Sequence, residues 1–225
     1  HRVDARRRLL ERETIPGSEI CVGHPLVAPE LSPDARRLGR ALAAVDAVWP
    51  EAGGEIRAAT RLVLAAEEPG LVSYAHLHRP GVSYIRLRGK ALLELADDLL
   101  HESAHHRLHV LEIRAPLVTR QVEEARYYSP WRRTLRPLRG IYHAAYTFSF
   151  RAELLRRILA TARAQAGRVG PLRLSPKRLR WLALEARKER RQVLRALRDL
   201  EDAARRGLLT AAGRRLLRVI REAAA

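Results

Sequence analysis

Between Gly89 and Pro116, Leu92, Leu95, Ala96, Leu99, Leu100, Ala104, Leu108 and Leu111 recur at helical spacing, and no glycine or proline interrupts them. A long helix with one apolar stripe must lay that stripe on a second layer. The chain supplies one just upstream, in three short strand-like runs at 61–66, 71–77 and 82–87. Glu68-Pro69-Gly70 and Arg79-Pro80-Gly81 separate them as turns, which predicts an antiparallel meander. Ser32-Pro33-Asp34 opens an earlier helix that runs to about Val48 and stops before Pro50.

After Pro116 the pattern predicts a loop over 121–137, a helix from Leu138 through Arg163, breaks at Gly167 and Gly170-Pro171, a long helix from Ser175-Pro176 to about Arg206, and a short one capped by Thr210. The expected fold is α+β and mainly helical: a small antiparallel sheet packed on the helix of residues 89–115, followed by an Arg-rich helical C-terminal region. Residues 1–165 read as the core and 166–225 as a basic helical extension packed on it. The chain is 47% apolar, enough for a sizeable core, and no run approaches the length of a membrane span. Its single cysteine, Cys21, excludes a disulfide framework and fits a reducing cytoplasm.

Of 43 basic residues only Lys90, Lys177 and Lys188 are lysine, a bias that points to a GC-rich genome as one source of the +18 net charge. The distribution is uneven. Residues 151–225 hold 21 basic and 7 acidic side chains, against 22 and 18 before them. Such a field attracts an acidic partner, and the basic helices from Ser175 to Arg221 are expected to recruit rather than catalyse. No aromatic interleaving accompanies them, which argues against specific RNA or DNA binding.

The motif that carries chemistry is His101-Glu102-Ser103-Ala104-His105. Two histidines at i and i+4 share a helical face and can hold one cation, with Glu102 beside it. A third ligand must come from elsewhere. His109 lies about 12 Å along the axis from His101 and cannot serve one cation together with both His101 and His105. His106 points off the face. Glu123 or Glu124, 18 or 19 residues after His105, has an acceptable spacing. His143, among Ile141, Ala144, Ala145 and Phe148, is the remaining candidate.

Two blocks, LLHESAHHRLHVLE and YYSPWRRTLRPLRGIYHAAYTF, resemble the bacterial HExxH-motif family of peptide-modification proteins found with ribosomally made, post-translationally modified peptides. The second block carries Ser129-Pro130-Trp131-Arg132, Arg136-Pro137, Gly140 and His143; Thr134 replaces an acid common between the two arginines. The resemblance covers about a third of the chain. It implies an iron(II)- and 2-oxoglutarate-dependent oxygenase that hydroxylates a side-chain β-carbon of a precursor peptide. His101, His105 and His143 would then be the metal ligands, Glu102 would orient water or substrate, and Arg132, Arg136 and Arg139 would offer the co-substrate's distal carboxylate a cation. An all-histidine face departs from the usual two histidines and a carboxylate, which Glu123 or Glu124 would restore.

Two other readings stay open. A zinc(II) peptidase would use Glu102 as general base toward a metal-bound water and needs no carboxylate-binding arginine. A non-catalytic peptide-binding module would use the basic helices alone. For the enzyme readings, the strand at 82–87 is expected to border the substrate groove and to offer an edge to an extended peptide.

Overall fold

The computed structural model describes residues 19–20, 33–66, 73–76, 78–119 and 126–224. Pro33 and Pro50 each set the first turn of a helix, α1 (Pro33–Asp46) and α2 (Pro50–Ala59). Helix α2 was not expected, because Gly53-Gly54 depresses helix propensity. In place, Gly53 leaves the space that the Asp46 side chain fills, and Asp46 in turn binds Arg57. A tertiary contact overrides the local preference. The expected cap Ser32 lies outside the described residues, as do Glu123 and Glu124.

The strand-like runs form β2 (Leu62–Ala65), β3 (Ser73–Ala75) and β4 (Val82–Ile85), joined by a short β1 (Glu19–Ile20). They do not form a meander. The order is β1-β2-β4-β3, with β2 and β4 parallel and the outer pairs antiparallel. Burial explains it: Leu62, Val63, Leu64 and Ala65 are all buried, as is most of β4, and such continuous apolar runs belong in the interior of a sheet. The half-buried β3 takes the edge. Because β4 is paired on both sides, it cannot add a peptide strand, and that expectation is corrected.

Helix α3 (Leu92–Arg114) lies against this sheet and carries the HExxH motif. His106 fastens the two layers: its Nδ1 accepts from the Gly81 N–H, so its Nε2–H donates to Ser83 Oγ at 3.0 Å. The expected loop at 121–137 contains a hairpin, β5 (Tyr127–Ser129) and β6 (Thr134–Arg136), with Arg133 at φ 54° in its turn. Helix α4 (Leu138–Ala164) follows, then the hairpin β7 (Arg168–Val169) and β8 (Leu172–Arg173). Helices α5 (Pro176–Arg205) and α6 (Ala211–Ala224) complete the described fold. Ser175 Oγ caps α5 through the Arg178 N–H, and Thr210 Oγ1 caps α6 through the Gly213 N–H.

Two apolar cores flank the motif. One joins α1, α2, the sheet, the start of α3 and the second half of α4, and it takes Leu182 from α5. The other joins Ala104 and Leu108 of α3 to the first half of α4, to Val193, Leu197 and Leu200 of α5, and to α6. Helix α5 thus contributes to both cores while packing mainly on α4, α6 joins the second, and His101 and His105 of the HExxH helix fall where the two cores meet. Among the described residues no helix is long and apolar enough to cross a membrane.

Candidate metal centre

Helix α3 brings His101, His105 and His109 to one stripe by two successive i,i+4 steps, and α4 lies across it with His143. His101 Nε2 and His105 Nε2 are 3.2 Å apart. Two nitrogens bound to one first-row cation at about 2.0–2.1 Å each stand roughly 3.0–3.4 Å apart, so this pair fits a shared ion. Burial pushes the His101 imidazole down to about 4, aided by the charges of Arg151 and Arg132. Burial also pushes His105 down to about 2, with the surrounding imidazoles adding to it. Both are therefore neutral near pH 7, the form that binds metal.

His143 stands across from His105, with ring centroids 5.8 Å apart, and 5.5 Å from His109. His105, His109 and His143 offer ligand atoms that all lie within 4.8 Å of one another. His109 Nδ1 is buried and has no hydrogen-bond partner among the described residues, an orphaned nitrogen that suits a ligand. The ring grouped with His105 and His143 is thus His109, which is too far along the helix to share an ion with His101 but lies one turn from His105.

A further residue escaped the sequence altogether. Glu112, three residues past His109, accepts from His143 Nε2 at 2.8 Å. Arg139 grips the same carboxylate with two hydrogen bonds, at 2.9 and 2.7 Å. Burial opposes the Glu112 charge, but the bonds from His143 and Arg139 hold its carboxyl down at about 2. An ionised carboxylate only accepts, so His143 Nε2 carries a proton, and Nδ1 is the ring nitrogen that the neutral side chain would offer as a ligand atom. Arg139 is consequently engaged in orienting His143 and is not the loose cation expected for a co-substrate. Helical spacing from His109 was the one available signal for Glu112, and acids at that spacing are common on solvated faces.

These side chains open on a cavity of about 850 Å³ that His101, His105, His143, Arg132, Arg136 and Arg139 help to line. Arg132 and Arg136 come from the β5–β6 hairpin and make no side-chain ion pair or hydrogen bond among the described residues. Arg136 lies over Gly140, where an added Cβ would meet its Nε at 3.3 Å. The glycine of the second block is what lets this guanidinium fold back toward the cavity. Trp131 and Phe148 stack at 4.6 Å beside it, and Phe148 touches the His101 ring at 4.7 Å.

Glu102 is buried at 1% exposure beside Ser73 and Asp98, which line the cavity, and is not itself among the lining side chains. Burial pushes its carboxyl up to about 8, and its Oε2 has no partner among the described residues. A carboxyl so placed holds a proton near neutrality. Its folded value lies above the unfolded one, so its contribution to stability is full below about 4.5 and is lost as pH rises from there toward 8. In the metal-free protein, Glu102→Gln is therefore expected to melt higher than the parent chain, with a gap that widens from pH 5 to pH 8. Thermal unfolding across that range checks it; a gap independent of pH would show that Glu102 is not held protonated.

In comparison with known proteins, no family model matches the chain and no curated protein matches it.

Proposed function

We propose that this chain is a metal-dependent peptide-modifying enzyme: an iron(II)- and 2-oxoglutarate-dependent oxygenase that hydroxylates a side-chain β-carbon of a ribosomal precursor peptide. The observation that carries the proposal is one cavity that combines paired neutral histidines with two uncommitted arginines. His105 and His143 would hold the metal, with His101 or His109 completing the face. When bound, iron with the keto acid supplies dioxygen chemistry in which 2-oxoglutarate, O₂ and the C–H bond become succinate, CO₂ and the C–OH product.

The chain's own residues bind, orient and exclude. Arg132 and Arg136 present planar donors suited to a carboxylate. The Glu112–Arg139 pair fixes the His143 ring and its tautomer. Trp131 and Phe148 keep water from one wall. The zinc peptidase reading fares worse on one observation: a hydrolase needs no carboxylate-binding cation, and it leaves Arg132 and Arg136 in the cavity without a role.

The test is 2-oxoglutarate binding to the iron-loaded protein without oxygen, followed by calorimetry. Each of Arg132→Met and Arg136→Met removes a charged hydrogen bond worth about 1.5–3 kcal/mol. Affinity is expected to fall roughly tenfold to a hundredfold, with metal content unchanged. Unaltered affinity in both would remove these arginines from the co-substrate site.

A further inference from the structure

Helix α5 carries Arg180, Leu184, Arg187, Arg191, Arg195 and Arg198 at three- and four-residue steps, one straight row along its solvent side. All six are exposed, Leu184 at 64%. Arg180, Arg187 and Arg191 have no acidic partner among the described residues. The row spans about 27 Å. It does not end in open solvent. The guanidinium of Arg195 lies 4.8 Å over the Tyr128 ring, and Gln192 donates to the Pro130 carbonyl at 3.1 Å. One residue row inward, buried Glu189 accepts from the Trp131 indole.

The α5 row is thereby bolted to the β5–β6 hairpin, whose inner side chains Trp131, Arg132 and Arg136 line the cavity. The outward side of the same hairpin exposes a directly cross-strand apolar pair, Tyr128 and Leu135, the latter at 55%. A basic row interrupted by one leucine thus runs to an apolar pair at the rim of the metal cavity.

We infer that this row is the docking track for an acidic segment of the peptide substrate, with glutamates or aspartates against the arginines and aliphatic side chains against Leu184 and the Tyr128–Leu135 pair. This rests on the peptide-modifying reading above and names the substrate's recognised part. The charge selects an anionic partner. The exposed leucines select a peptide over a nucleic acid, since a phosphate backbone gains nothing by covering them. Contact through the hairpin would place the segment beyond the track over the histidines, so docking acts chiefly as local concentration and on-rate.

The test uses the full chain and a fluorescein-labelled synthetic peptide of glutamates interspersed with leucines, followed by anisotropy. Arg187→Glu, Arg191→Glu and Arg198→Glu combined should weaken binding by at least about tenfold and flatten its salt dependence. The lysine versions of the same three should stay close to the parent. Leu135→Ser should weaken binding several-fold while leaving the salt slope alone. Affinity within twofold of the parent after charge reversal would overturn the proposal, as would displacement of the peptide by a single-stranded oligonucleotide of equal charge at lower concentration. Metal and 2-oxoglutarate binding, measured in the same variants, are expected to be unchanged, which separates failure of the track from failure of the enzymatic reading.

Discussion

Replacing His105 with alanine is expected to lower the affinity of the protein for iron(II) or zinc(II) by more than about a hundredfold. His105 is common to both groupings in the centre: its Nε2 is 3.2 Å from that of His101, and its ring faces both His109 and His143. Loss of a residue that merely orients a ligand costs roughly tenfold to a hundredfold in metal affinity, so loss of the shared ligand should exceed it. Competition with a chromophoric chelator measures the change, and circular dichroism checks the fold. The comparison with His101→Ala and His109→Ala is informative in its own right. The variant that comes nearer to His105→Ala identifies which partner ring completes the site with His143. Metal affinity that survives His105→Ala would show that His105 is not a ligand.

A second large effect is expected from Arg151→Met. Arg151 on α4 reaches Asp97 of α3 with Nε at 2.7 Å and also binds Glu189 of α5, which is 1% exposed. It ties together the three helices around the cavity. Asp97 Oδ1 already has no partner among the described residues, and burial pushes both carboxyls up. Breaking a buried ion pair from one side costs about 3–5 kcal/mol, because the remaining charges lose their counter-ion. The carboxyls can escape that cost by taking protons. Since their folded values would then lie further above the unfolded ones, the destabilisation should grow as pH rises above about 4.5 and shrink on acidification. Urea unfolding at pH 5 and pH 8 checks both the size and the sign; an equal, small loss at both would show the network to be a solvated one.

The sequence made the helices legible where signals were local. Pro33, the uninterrupted stripe from Leu92 to Leu111, Gly167, Ser175-Pro176 and Thr210 each mark a boundary that lies within a few residues of the observed one. Helix α2 was missed because its two glycines are explained only by the approach of Asp46 from another helix. The sheet order was missed for a related reason. Turn residues say where strands end, but the placing of β4 between β2 and β3 follows from burial, which periodicity over four residues cannot weigh. In the candidate site, His101 and His105 were visible from spacing alone. Glu112 and His109 were not, since their significance depends on where α4 sets His143 down. Arg139 shows the converse: its residue type suited the expected role, and an acid one helix away engages it instead.

The histidines and the hairpin arginines are proposed to form one oxygenase centre. The most direct measurement is anaerobic reconstitution with iron(II) and 2-oxoglutarate, followed by admission of oxygen with a precursor peptide and quantification of succinate and peptide mass. Succinate is expected in step with a peptide heavier by one oxygen atom, lost in His105→Ala and sharply reduced in Arg132→Met and Arg136→Met. Cleavage of the peptide by the zinc-loaded protein, with no succinate formed by the iron-loaded one, would contradict that proposal.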